Sequence, residues 1–138
     1  MSVKQAERSQ GELTVIVKAK ENAAYTLQVT DNTNNFPKHH RFSTAAKLQT
    51  KAFEIVEYLV EANEFFPKTA EELKHRRLLQ RKAMAACRSS LTMIDICATK
   101  FDIKKSTVEY WTKQLWNVRN LTVGWLKKDE ERYKNLLQ

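Results

Sequence analysis

The chain has 138 residues, with 24 Lys and Arg against 16 Asp and Glu, and only two glycines and two prolines. That length suits one domain with one hydrophobic core over residues 1–138, and so few Gly and Pro leave little material for β-turns, so hairpin-rich folds are excluded and long helices expected. A net charge of +8 and an isoelectric point near 9.6 point to a polyanionic partner.

Residues 1–10, MSVKQAERSQ, are polar and expected to be flexible. A first helix is expected over residues 11–31, with Leu13, Ile16, Val17, Ala24 and Leu27 as its apolar stripe. The β-branched residues 14–17 would also suit a short strand, but the chain offers no second strand to pair with it. The stretch NNFPKHHRFS at residues 34–43 follows. Pro37 biases Phe36 away from helix, Phe36 and Phe42 are expected to anchor the turn, and Ser43 is an N-cap candidate for a second helix ending near Asn63.

In that helix Leu48, Ala52, Ile55, Leu59 and Ala62 recur at spacings of four, three, four and three, an apolar seam suited to bundle packing. Glu54, Glu57, Glu61 and Glu64 form an acidic stripe on roughly the opposite face. Phe65, Phe66 and Pro67 stop the helix, and Thr69 with Glu72 has the pattern of a capping box. The third helix should therefore run from near Ala70 to Lys100, with Leu79, Ala83, Ala86, Met93, Cys97 and Phe101 on its apolar face. Lys74, Arg77, Arg81 and Arg88 fall within about 60° of one another, almost opposite that face.

Ser106 with Glu109 reads as a second capping box opening a fourth helix. Its seam is Val108, Trp111, Leu115, Val118, Thr122 and Trp125, with Gly124 a candidate for close packing. Tyr110 and Trp116 lie off the seam and are candidates for a subunit or partner interface, where such residues often dominate the energy. Residues 129–138 are expected to extend the helix or fray. Four amphipathic segments with short connections read as an all-α, up-down four-helix bundle.

Most chemistries fail on spacing. His39, His40, His75, Cys87 and Cys97 show no metal-binding spacing, no glycine-rich loop exists to cradle phosphates, and no nucleophile and base stand in a motif, so no catalytic residue, metal or cofactor is assigned. Cys87 and Cys97 would lie about 15 Å apart on one helix, too far to bridge; with no signal peptide this favours a reducing cytoplasm. The uncharged runs are shorter than the roughly 20 apolar residues of a membrane span. The charge is uneven: residues 67–100 carry eight basic and three acidic side chains, residues 101–138 eight and five, and the first half is balanced. Three readings of Lys74, Arg77, Arg81 and Arg88 stand open: a solvated face, a phosphate-binding stripe, or a contact with the acidic stripe of a neighbouring subunit.

N-F-P-K-x-x-R-F at residues 35–42, E-A-N at residues 61–63 and NVRNLTVGWLKK at residues 117–128 occur in an order and spacing that resemble the accessory variability determinants of diversity-generating retroelements. More distantly they resemble the four-helix-bundle proteins encoded by intervening sequences of bacterial ribosomal RNA genes. The first resemblance implies a non-enzymatic, ring-shaped homopentamer that binds the element's reverse transcriptase and its template RNA or cDNA during mutagenic retrohoming. Lys38 and Arg41 match the basic positions of the family's turn, and Gly124 and Trp125 its C-terminal pair, before Lys127 and Lys128. The second implies a structural oligomer.

Overall fold

The computed structural model describes the backbone of residues 3–137 and the side chains of residues 14–137. The place of Leu13 on the stripe therefore lies outside the described side chains. Four helices carry the fold: α1 (Val3–Asp31), α2 (Ala46–Asn63), α3 (Ala70–Lys100) and α4 (Lys105–Arg132). No strand occurs among the described residues. Helix α1 begins well before Gly11, within the polar start, and the β-branched residues 14–17 are helical. Helices α1 and α3 each pack against α2 and α4, and among the described residues the backbones of the diagonal pairs stay apart. That closed arrangement of antiparallel neighbours is an up-down bundle.

The seams of α2 and α4 match the helical periodicity. Leu48, Ala52, Ile55, Leu59 and Ala62 are all buried, as are Trp111, Leu115, Val118, Thr122 and Trp125, with Val108 half-buried at the edge. On α3, Leu79, Ala83, Ala86 and Cys97 are buried and Met93 and Phe101 partly so. The face also takes in Leu73, Cys87, Leu91 and Ile94, with the polar Arg76, Gln80 and Ser90.

Helix α1 corrects the expected stripe. Among its described side chains the buried ones are Val15, Ala19, Asn22, Ala23, Thr26, Val29 and Thr30, whereas Val17 and Ala24 are exposed and Ile16 and Leu27 half-buried. Hydropathy mistook the face because the true one contains polar groups satisfied inside the bundle. The Thr26 hydroxyl donates to the Asn22 carbonyl at 2.7 Å and accepts from the Trp111 indole at 3.0 Å, while Asn22 donates to Gln114 at 3.2 Å. Buried polar groups are tolerated where each finds such a partner.

Cap assignments split. Thr69 caps α3 as expected, accepting from the Glu72 amide at 3.1 Å, but its hydroxyl bonds the Glu72 carboxylate, so the reciprocal half of the box differs. Ser43 is not the cap of α2: winding starts at Lys38 directly after Pro37, continues through a π-helical turn (Arg41–Ala45), and the Ser43 hydroxyl donates to His40 O. Ser106 does not open α4 either, because that helix starts at Lys105 without a side-chain cap. Nor does Gly124 serve close packing, since a Cβ there would meet nothing within 4 Å.

The turn NNFPKHHRFS closes one end of the bundle. Phe36 is 2% exposed and packs edge-on against Phe101 and Trp111, with ring centroids 5.3 and 6.3 Å away. Phe42, expected to anchor the same turn, is 90% exposed, because the π-helical turn rotates it off the bundle.

Candidate nucleic-acid interface

Near-parallel helices fix which basic residues can act together. The N-terminal half of α3 and the C-terminal end of α4 share one end of the bundle, joined by Arg76 and Asp129. Lys74, Arg77, Arg81, Lys127 and Lys128 belong to that end. Lys38 and Arg41 stand at the other, where His40 stacks on Phe101 with centroids 4.9 Å apart. At 1.5 Å per residue, residues 74 and 101 are separated by about 40 Å along α3. The expected basic residues thus form two groups, and only a ligand of that length reaches both.

Lys74, Arg77 and Arg81 converge. With Leu78 they line a shallow groove of about 280 Å³ on the outer face of α3. Lys74 and Arg81 are exposed and make no ion pair among the described residues, whereas half-buried Arg77 is held by Glu130 at 3.1 Å. The Arg77 Nε is buried without a hydrogen-bond partner. Arg88, further along, lies over the Trp116 ring at 5.6 Å, and Arg119 lies over the same ring at the same distance. The stripe therefore turns from α3 onto α4.

Arg76 has a different place. Its Nε donates to Asp129 Oδ2 at 2.7 Å, its Nη2 to Asp129 Oδ1 at 3.0 Å, and its Nη1 to Phe65 O at 3.1 Å. Gln80 adds a bond to Asp129 Oδ2 at 2.8 Å, and the guanidinium lies over Trp125 at 4.9 Å and Tyr133 at 5.8 Å. Arg76 and Asp129 are 2% and 0% exposed. The pair is a strut between α3 and α4, out of reach of any polyanion.

The acidic stripe also reaches the surface. Glu57, Glu61 and Glu64 are exposed, and half-buried Glu54 lies 3.4 Å from Lys51. Exposed Phe53 and Val60 stand among them, a mixed apolar and acidic face on α2. Tyr110 and Trp116 are exposed as well and line a groove between α1 and α4 with Lys18, Glu21, Lys113, Gln114, Asn117 and Asn120. Sequence reading passed over that lining although Tyr110, Lys113, Asn117 and Asn120 recur at three, four and three, the signature of one helical face.

Among the described residues no three His, Cys, Asp or Glu side chains converge on a point where a metal could bind. Burial pushes the Cys87 thiol up to about 12, against the opposing pull of Arg119, and burial also raises Cys97. Neither is a ready thiolate at neutral pH. Among the described residues no helix is long and apolar enough to cross a membrane. A scan against protein-family models and searches of curated proteins and of solved structures find no match to this chain.

Proposed function

We propose that this chain is a non-enzymatic, cytoplasmic accessory protein of the kind found in diversity-generating retroelements, holding template RNA or cDNA beside a reverse transcriptase. The observation that carries the nucleic-acid part is the convergence of Lys74, Arg77 and Arg81 on one groove, with Arg88 continuing the line. Three arginines and a lysine with no acidic residue among them along α3 suit phosphate oxygens, which arginine engages bidentately, although Arg77 must exchange its Glu130 partner to do so. The order of the sequence motifs supports the identity of the partner enzyme.

Binding of this kind releases counterions, so affinity for RNA should fall steeply with salt. Replacing Arg77, Arg81 and Arg88 together by Gln should weaken binding and flatten the dependence of log K on log salt by about two to three. An unchanged slope would remove the stripe from the mechanism. Pull-down of a reverse transcriptase from such an element, with and without that triple change, separates the protein partner from the nucleic acid.

A second reading is favoured by Phe53, Val60 and Leu78, exposed among charges of opposite sign on α2 and α3. The acidic face of one subunit would meet the basic face of the next, a head-to-tail contact that closes into a ring when the rotation permits. In that structural oligomer, reversing Glu54, Glu57 and Glu61 to Lys should dissociate the assembly in light scattering; an unaltered mass would dismiss the contact.

A further inference from the structure

The α1–α4 groove differs in chemistry from the α3 stripe. Its volume of about 510 Å³ falls within the roughly 300–1,000 Å³ of small-ligand pockets. Its lining mixes the cations of Lys18 and Lys113 with the carboxylate of Glu21, which lies 3.5 Å from Lys18, and with the amides of Gln114, Asn117 and Asn120. A carboxylate repels phosphate, whereas amides and a carboxylate together offer the donors and acceptors that base edges read. Two aromatic rings border the groove. Tyr110 is propped edge-on by Tyr25, with centroids 4.9 Å apart, and Trp116 is 40% exposed under the guanidiniums of Arg88 and Arg119.

We infer that this groove takes unpaired bases of single-stranded nucleic acid, stacked on Trp116 and Tyr110, while the phosphates of the same strand follow Arg88 back onto the α3 stripe. The inference rests on the proposed nucleic-acid function and adds the form of the ligand. Arg88 links the two surfaces because it belongs to the stripe and touches the Trp116 ring. A base that takes a face of that ring displaces a guanidinium, which turns to the adjacent phosphate. A positively charged track with aromatic platforms is how single strands are held without sequence preference, and duplexes hide the faces such platforms need. Tyr110 and Trp116 are thereby assigned to nucleic acid instead of to a protein contact.

The tryptophans make the test direct, since Trp111 and Trp125 are buried and Trp116 alone of the three is exposed. The full chain is titrated with a single-stranded RNA of about a dozen nucleotides and with its duplex, following tryptophan fluorescence. The single strand should quench the emission and bind more tightly than the duplex. In Trp116→Leu the quenching should vanish and single-strand affinity should fall about tenfold, with the salt slope and duplex binding unchanged. Equal affinity for single strand and duplex, or unaltered single-strand binding by the variant, overturns the inference and leaves the charge-based function standing. A fall in the mass of the assembly in Trp116→Leu overturns it in favour of a subunit contact. Failure of the wild-type chain to bind any RNA removes both.

Discussion

The two ends of the bundle solve the same packing problem with opposite chemistry. At the end where α1 turns into α2, Phe36, Phe101 and Trp111 stack edge to face and the plug is hydrocarbon. At the other end Arg76, Asp129 and Gln80 are locked together under Trp125, and the plug is an ion pair with its hydrogen bonds. An aromatic plug adapts to small shifts because dispersion is non-directional. A buried bidentate pair tolerates one register only, because an unmatched charge inside a protein is so costly. The polar end thus fixes how α4 sits against α3, the helices that carry Trp116 and the basic stripe.

The sharpest way to break this contrast is Asp129→Ala, which removes the carboxylate that the buried Arg76 guanidinium engages through two nitrogens. It should cost about 3–5 kcal/mol of stability in urea unfolding, whereas the double change Arg76→Met with Asp129→Leu should cost clearly less, its loss being the buried Gln80 amide left without the Asp129 carboxylate. A single variant that loses under about 1 kcal/mol would mean that the polar end is not closed by the pair. At the other end Phe36→Ala should cost about 3 kcal/mol, the cavity left by an aromatic ring. Phe42→Ala, on the same turn but outside the bundle, should change stability by no more than about 0.5 kcal/mol. Equal losses at Phe36 and Phe42 would show that Phe42 is covered in solution by something packed against the turn.

How far each end was legible in the sequence follows from the same chemistry. Periodicity finds hydrocarbon, so the seams of α2 and α4 emerge from residue spacing, and the start of α3 emerges from the stop at Pro67 and the Thr69 cap. It finds polar cores poorly: Asp129 lies inside KKDEERYKNLLQ, a run that reads as a charged end, and becomes one of the most buried residues because Arg76 waits 53 positions earlier. The same blindness shifted the stripe of α1, whose core face holds Asn22, Thr26 and Thr30. Helix starts failed at Ser43 and Ser106 for a local reason: Pro37 and Lys104 start the winding earlier, so both serines lie inside helical turns. Of the candidate interface, the α3 stripe was visible as spacing and sign. The Trp116 groove was not, since it needs Lys18 of α1 beside α4.

An effect of the opposite sign is expected at Gly124, which directly precedes the Trp125 that covers the Arg76 guanidinium at the polar end. Glycine inside a helix loses more backbone freedom on folding than alanine, and at this position a Cβ would point into open space. Gly124→Ala should therefore raise stability by about 0.4–1 kcal/mol in urea unfolding. The sign is more informative than the size. A single chain gains from the extra methyl group, but a chain whose α4 lies against a second copy at this point has no room for it. Destabilisation, or a lower mass in light scattering, would therefore place a neighbouring subunit over Gly124 and make the polar end part of the assembly contact. A gain in stability with unchanged mass leaves that face open, and the ion pair between Arg76 and Asp129 then serves the fold of each subunit alone.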